Sequence, residues 1–467
     1  MSEKSQADIL KEQLFYEPKH ASYVMDEDEI NRADVFCRDY IGFLNASRTE
    51  REAAANIVSL ARERGYKEFD PKAKYKSGDK VYSLIHEKSV ILCTIGKKSV
   101  AEGVRILAAH IDSPRLDLKP NPLYEEDELA LFKTHYYGGI KKYQWPTVPL
   151  ALHGVVIKKN GEKVTVRIGD EPGDPVFVVT DLLPHLDRQQ ADRPMTKVIK
   201  GEELNILVGS RPFGNEKSDK AVKLNVLNLL HEKYGIIEED FLSAELEAVP
   251  AYPAVDIGFD RSLIGSYGHD DRVCAYPSVM AAFDAAEPEY TSVAVLTDKE
   301  ETGSDGNTGL QSAYLKHFIA DLGALEGVPG RDVIRNSSCL SADVNAGYDP
   351  TFGHVHEKMN AAYLNKGIVL TKYTGSGGKG GTNDANAEFV FKVRSVFDSA
   401  CVQWQVGELG KVDEGGGGTV AKYIANLGAQ VVDVGVPVLS MHAPFEVVSK
   451  TDVYMAYKGF KAFLEAK

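Results

Sequence analysis

The chain has 467 residues, 43% hydrophobic and 26% charged, with a formal net charge of -14. This is a globular composition too long for one ordinary core, so about two domains are expected. The acidic balance disfavours nucleic acid and anionic membrane as partners, and no apolar run reaches the roughly 18–20 residues needed to span a bilayer.

Residues 1–25 read as an irregular arm. A helix is predicted from about Glu29 to Asn45, where Ile30, Val35, Phe36, Tyr40, Phe43 and Leu44 make an apolar stripe. A second helix opens on a capping-box pattern, Ser47-x-x-Glu50, and stops at Gly65. Val81–Ile85 and Val90–Thr94 read as a strand pair. Val104–Ala109 reads as a strand that runs into His110-Ile111-Asp112-Ser113-Pro114.

From about Asp117 to Pro250 the rhythm changes to short β-like runs and turns. Val155–Ile168 is a hairpin around Asn160-Gly161, and an amphipathic helix is predicted near Lys217–Tyr234. The reading is a mostly β domain (117–250) inserted between two parts of an α/β domain (1–116 and 251–467). After Pro250, Gly268-His269-Asp270-Asp271-Arg272 precedes a helix over about Val273–Ala286. The strand Thr291–Leu296 stops at Asp298-Lys299-Glu300-Glu301. A helix near Leu310–Leu322 and the strand Cys339–Asp343 follow. A glycine-rich loop, Thr374–Thr382, leads to a helix ending near Ala400. Then come the strand Val402–Val406, the Gly415–Gly418 cluster with another helix, two apolar runs ending at His442, and a last helix over Thr451–Ala466.

Four strands therefore end in a ligand-type side chain: His110, the Glu300-Glu301 pair, Asp343 and His442. A fifth acidic group, Asp270, opens a helix. Singly these are ordinary features, and Asp270 reads equally well as a helix N-cap. Jointly they are specific, because an α/β sheet gathers the C-terminal ends of its strands. A mixed imidazole and carboxylate set without cysteine suits zinc, manganese or cobalt, and a pair of ions is plausible. Asp112, two residues along from His110, returns to the same side and can hold the imidazole. The glycine-rich loop fails as a phosphate loop: Gly375 and Gly380 frame four residues, but Gly381 stands where lysine is required and Lys379 comes too early. Five scattered cysteines without C-x-x-C read as reduced thiols. The polar first residues hold no signal-peptide core, so a cytoplasmic setting is expected.

In their order, His-x-Asp, Gly-His-Asp-Asp-Arg, Asp-Lys-Glu-Glu-Thr-Gly-Ser, Ser-Ala-Asp and Ser-Met-His make the sequence resemble the aspartyl aminopeptidase family, dinuclear zinc metallopeptidases, in its bacterial branch. The resemblance covers nearly the whole chain. It implies a three-layer α/β/α catalytic domain with an inserted β-rich dimerisation domain, and removal of the N-terminal residue from peptides. It implies two divalent ions, with Asp270 bridging, His110 and Asp343 on one, and Glu301 and His442 on the other. Glu300 matches the general base and Asp112 the carboxylate behind the histidine. Family members form dodecamers in which a Pro-His-Leu histidine reaches a neighbour's site, and His185 matches it. Acid-preferring relatives carry a substrate-binding lysine where Thr371 stands here, with Lys372 beside it, and a histidine where Ala346 stands. The departure leaves a neutral or broad preference as open as an acidic one. The residues alone also leave open a carboxypeptidase or deacylase on the same scaffold, or an assembly protein without activity.

Overall fold

The computed structural model describes residues 4–214, 218–285, 287–375 and 377–467. Lys217 and Ala286, expected as helix ends, Ser376 of the glycine-rich loop and residues 1–3 of the arm lie outside the described residues.

Alternation within single strands explains the central layer. In Arg105–His110 every residue is buried; Ile106 and Ala108 join one apolar core, while Leu107 and Ala109 join another. A strand buried on both faces must sit inside a sheet covered by helices on both sides. The sheet has nine strands, and its interior runs Ser292–Thr297, Arg105–His110, Ser338–Ser341 and Gln430–Gly435, all parallel. One face packs on helices Glu27–Ala46, Glu50–Glu63, His269–Asp284, Ala387–Ser399 and Lys450–Glu465, and the other on Tyr314–Leu325, Gly330–Arg335 and Ala421–Ala425. The fold class is thus the expected α/β.

A second, seven-stranded antiparallel sheet is drawn from residues between Arg115 and Pro250 and has its own core around Leu116, Phe132, Trp145 and Leu152. A third sheet of five short strands joins Val255–Ile257, Leu263–Ser266, Asn345–Ala346, Pro437–Leu439 and Glu446–Ser449. Buried ion pairs tie the helix Glu50–Glu63 to the second sheet. His153 lies between Glu52 at 2.8 Å and Asp170 at 3.1 Å, and Arg115 reaches Glu50 at 3.3 Å and Glu247 at 3.1 Å. Removing one partner from such a pair strands a buried charge, which costs about 3–5 kcal/mol.

Several local expectations are corrected. The arm contains a helix, Gln6–Leu14, capped by Ser5; its residues are all exposed, so no apolar stripe announced it. The capping box is Thr49 with Glu52, two residues beyond Ser47-x-x-Glu50, because Ser47 is the C-cap of the preceding helix. The glycine-rich loop does not open its helix directly: the helix begins at Ala387, after Asn386. The helix expected from Leu310 begins at Tyr314. The cysteines are all free, four of them buried.

Candidate metal centre

The register of the central sheet sets the site. Thr297 pairs with His110 across one side of its strand, and Ser341 pairs with Ala108 across the other. Asp343, two residues past Ser341, therefore comes level with His110. Glu300 and Glu301 follow in a short 3-10 turn entered through Lys299 at φ 71°. His442 sits at φ 63°, a left-handed conformation unusual for a residue with a Cβ. Asp270 is not the N-cap of its helix: Gly268 is, and Asp270 is extended at ψ 109°. Glycine is favoured at Gly268 by its φ of 76°, and a Cβ there would lie 1.8 Å from Arg272 Nη1 and displace that buried guanidinium.

These turns bring two triads together. His110, Asp270 and Asp343 converge in one, and Asp270, Glu301 and His442 in the other, each within 4.8 Å. Asp270 serves both with different oxygens: Oδ1 lies 3.0 Å from His110 Nε2, and Oδ2 lies 3.2 Å from His442 Nε2. His442 Nε2 is also 3.5 Å from Glu301, and His110 Nε2 is 3.9 Å from both Asp343 and Glu300.

Both imidazoles are oriented from behind. His110 Nδ1 lies 3.0 Å from the carbonyl oxygen of Asp112 and 3.3 Å from its carboxylate. His442 Nδ1 lies 2.8 Å from the carbonyl oxygen of Gly139. A carbonyl oxygen only accepts, so Nδ1 carries a proton in each ring, and Nε2, which faces Asp270, is the atom that a cation would take in exchange for a proton. Asp112 further accepts the backbone N–H groups of Glu300 and Glu301, each at 3.2 Å, and the Tyr137 hydroxyl at 2.8 Å.

The electrostatics ask for cations. Among the described residues, no lysine or arginine pairs with Asp270, Glu300, Glu301 or Asp343. Burial pushes Asp343 and Glu301 well above the usual carboxylate range, and neighbouring carboxylates add to it. Burial, with Asp112 and Asp270 nearby, lifts Glu300 to about 7. Burial works against charge on Asp270 too, but His110 and His442 outweigh it and hold that carboxyl low. Asp270 Oδ1 and Glu301 Oε1 are buried without a hydrogen-bond donor. Clustered anions with unmet acceptor atoms and two imidazole Nε2 atoms aimed among them fit divalent cations.

The triads open on a cleft of about 380 Å³, lined also by Asn345, Thr371, Thr374, Gly416–Gly418, Lys422 and Tyr423. Gly416–Gly418 lie along the cleft and tie the other glycine-rich loop to it, Gly375 N–H donating to the Gly417 carbonyl at 2.7 Å. Thr371 lines the cleft, its hydroxyl accepting from Asn345 at 2.9 Å. Lys372, named with it as a substrate contact, lies just past the strand that ends at Thr371; it is absent from that lining and pairs with Asp384 at 2.7 Å. His185 is exposed on the Asp181–Asp187 loop and does not line the cleft of its own chain. Sequence reasoning missed Tyr137, Gly139 and Glu446. Glu446 alone carried a faint signal, four residues past His442; the other two come from a distant part of the chain.

A family model described as aminopeptidase I zinc metalloprotease (M18) matches residues 43–464. A probable M18 family aminopeptidase 1 of Clostridium acetobutylicum is 48% identical over 459 residues, covering 97% of this chain and 99% of the relative. The crystal structure of an M18-family aminopeptidase from Thermotoga maritima superposes with a TM-score of 0.93 at 42% identity, over 97% of this chain and 100% of that one. The fold is shared more distantly, at 20% identity and a TM-score of 0.76, with a yeast protein whose structure is that of the mApe1 dodecamer, over 93% of this chain and 97% of that one.

Proposed function

The chain belongs to the M18 family of zinc metalloaminopeptidases, and on that premise we propose that it removes the N-terminal residue of peptides with a pair of divalent cations shared across Asp270. The observation that carries this is Asp270, which offers a separate oxygen to each histidine triad. His110 and Asp343 would hold one ion, and Glu301 and His442 the other. When bound, such a pair acidifies a water and polarises the scissile carbonyl.

The chain's own groups do the rest. Glu300 takes a proton from the attacking water and delivers it to the leaving amine. Burial and neighbouring carboxylates lift its carboxyl to about 7, and cations beside it would favour the ionised form that accepts a proton. Asp112 keeps His110 in one tautomer and, through the two backbone N–H groups it accepts, fixes the turn that carries Glu300.

Zinc follows from the family; manganese and cobalt are chemically acceptable to the same donors. Residues 117–250 are proposed as an inserted oligomerisation domain between catalytic parts 1–116 and 251–467. A dodecamer built from dimers is proposed, with His185 reaching a neighbour's cleft; the exposure of His185 and the yeast dodecamer support this. The metal-free protein reloaded with zinc, manganese or cobalt should bind about two ions per chain and cleave aminoacyl arylamides, but not their N-acetyl forms. Release of acetate from the acetylated forms, with the arylamide left intact, would favour a deacylase. No cleavage with any ion would favour an inactive assembly protein.

A further inference from the structure

The turn that ends the strand Leu129–Tyr137 offers no metal-ligating side chain, yet three consecutive residues of it touch both halves of the candidate centre. Tyr137 donates its hydroxyl to Asp112 at 2.8 Å, and Asp112 faces His110. A Cβ on Gly138, whose φ is 77°, would lie 3.2 Å from Glu301 Oε2 and 3.3 Å from its Cβ. The Gly139 carbonyl accepts from His442 at 2.8 Å. We propose that Tyr137-Gly138-Gly139 is a positioning clasp for both metal subsites, through which the seven-stranded sheet governs metal retention; this rests on the two-cation reading.

The Tyr137 contact is built rather than incidental. The ring is buried and packs 3.9 Å under the Arg115 guanidinium, which is itself held by Glu50, Asp117 and Glu247. Tyr137 and Arg115 are cross-strand partners in the second sheet. The hydroxyl is thus delivered to Asp112 from a rigid frame. Gly138 works by what it lacks: its left-handed φ disfavours a side chain, and any Cβ would press on Glu301. Gly139 supplies the acceptor that fixes the His442 tautomer. Losing an outer partner of a metal-bound histidine typically weakens affinity ten- to hundredfold.

The test is zinc affinity by chelator competition on the full-length protein. Tyr137 bonds to the partner of His110 rather than to the imidazole, so Tyr137→Phe should weaken one ion by about tenfold, the lower end of that range. The loss should be larger in a His442→Ala background, where the His110 subsite remains, than in a His110→Ala background, where Tyr137 reaches the second subsite only through the Asp112 oxygen that also accepts the Glu301 N–H. Gly138→Ala should weaken the His442 subsite instead. Melting of the metal-free variants reports the purely structural effect, and Tyr137→Phe decides alone if Gly138→Ala does not fold. Wild-type zinc affinity in Tyr137→Phe, or an equal loss in both backgrounds, overturns the clasp. Wild-type protein that binds fewer than two zinc ions at saturation would instead overturn the two-cation reading.

Discussion

The carboxylate of Glu446 accepts the backbone N–H of Asp270 at 3.1 Å through Oε2. Its other oxygen accepts the backbone N–H of His442 at 2.7 Å. One buried side chain thus fixes the main chain of the shared carboxylate and of one imidazole. Burial and the facing Asp270 lift Glu446 to about 8, against the pull of those two N–H groups. Glu446→Gln should turn an amide N–H2 toward one of the two donors. The stranded polar contact should cost about 1–3 kcal/mol in denaturant unfolding of the metal-free protein. Zinc affinity should fall with it, and unchanged unfolding together with unchanged affinity would show that the two bonds matter little.

Glu300→Gln keeps the shape of the side chain and removes its basicity. Zinc content should stay at the wild-type level while kcat falls by about 10²–10⁴-fold, the usual weight of a general base. Inductively coupled plasma analysis beside arylamide kinetics checks both. Near wild-type turnover would remove Glu300 from the mechanism.

His153 predicts a pH dependence of stability. Burial alone would lower its pKa, but hydrogen bonds to Asp170 and Glu52 and their charges raise it overall. A histidine raised on folding contributes stability that is fully present below its unfolded value of about 6.5 and is lost as pH rises through the folded value. The stability difference between wild type and His153→Gln should therefore shrink as pH rises above about 6.5. Urea titrations with chelator present measure it; a difference that is flat or grows with pH would contradict the ion-pair account.

Substrate preference hangs on two positions. Thr371 brings no charge to the cleft, and Asn345 already engages its hydroxyl. Lys422 is the only lysine or arginine lining the cleft among the described residues, and none of their carboxylates pairs with it. Leucyl arylamide should be cleaved at least as fast as aspartyl arylamide. Lys422→Met should lower kcat/KM for the aspartyl substrate several-fold and leave the leucyl one within twofold. A strong aspartyl preference that survives Lys422→Met would mean that another group recognises acid side chains.

How much was legible follows from distance along the chain. The strands ending at His110, Glu300-Glu301 and Asp343 could be read because each is a continuous apolar run stopped by a polar ligand type. Those residues meet because sheet register does the assembling, as at Thr297 with His110. Asp270 was legible as a residue type but not in conformation, since nothing in Gly-His-Asp-Asp-Arg distinguishes a helix cap from the kink found there. Tyr137 and Gly139 could not be read at all. Their roles arise where two separate sheets meet, and no local pattern encodes a hydroxyl or a carbonyl aimed at a residue such as His442, 303 positions away from Gly139.

The most direct measurement is anomalous diffraction from crystals of the zinc-loaded protein, collected across the zinc edge. Two peaks are expected roughly 3.5–4 Å apart, one on either oxygen of Asp270. The first should be completed by His110 and Asp343, and the second by Glu301 and His442. A single peak that leaves one triad empty at saturating zinc, or peaks away from Asp270, would contradict the shared-carboxylate centre.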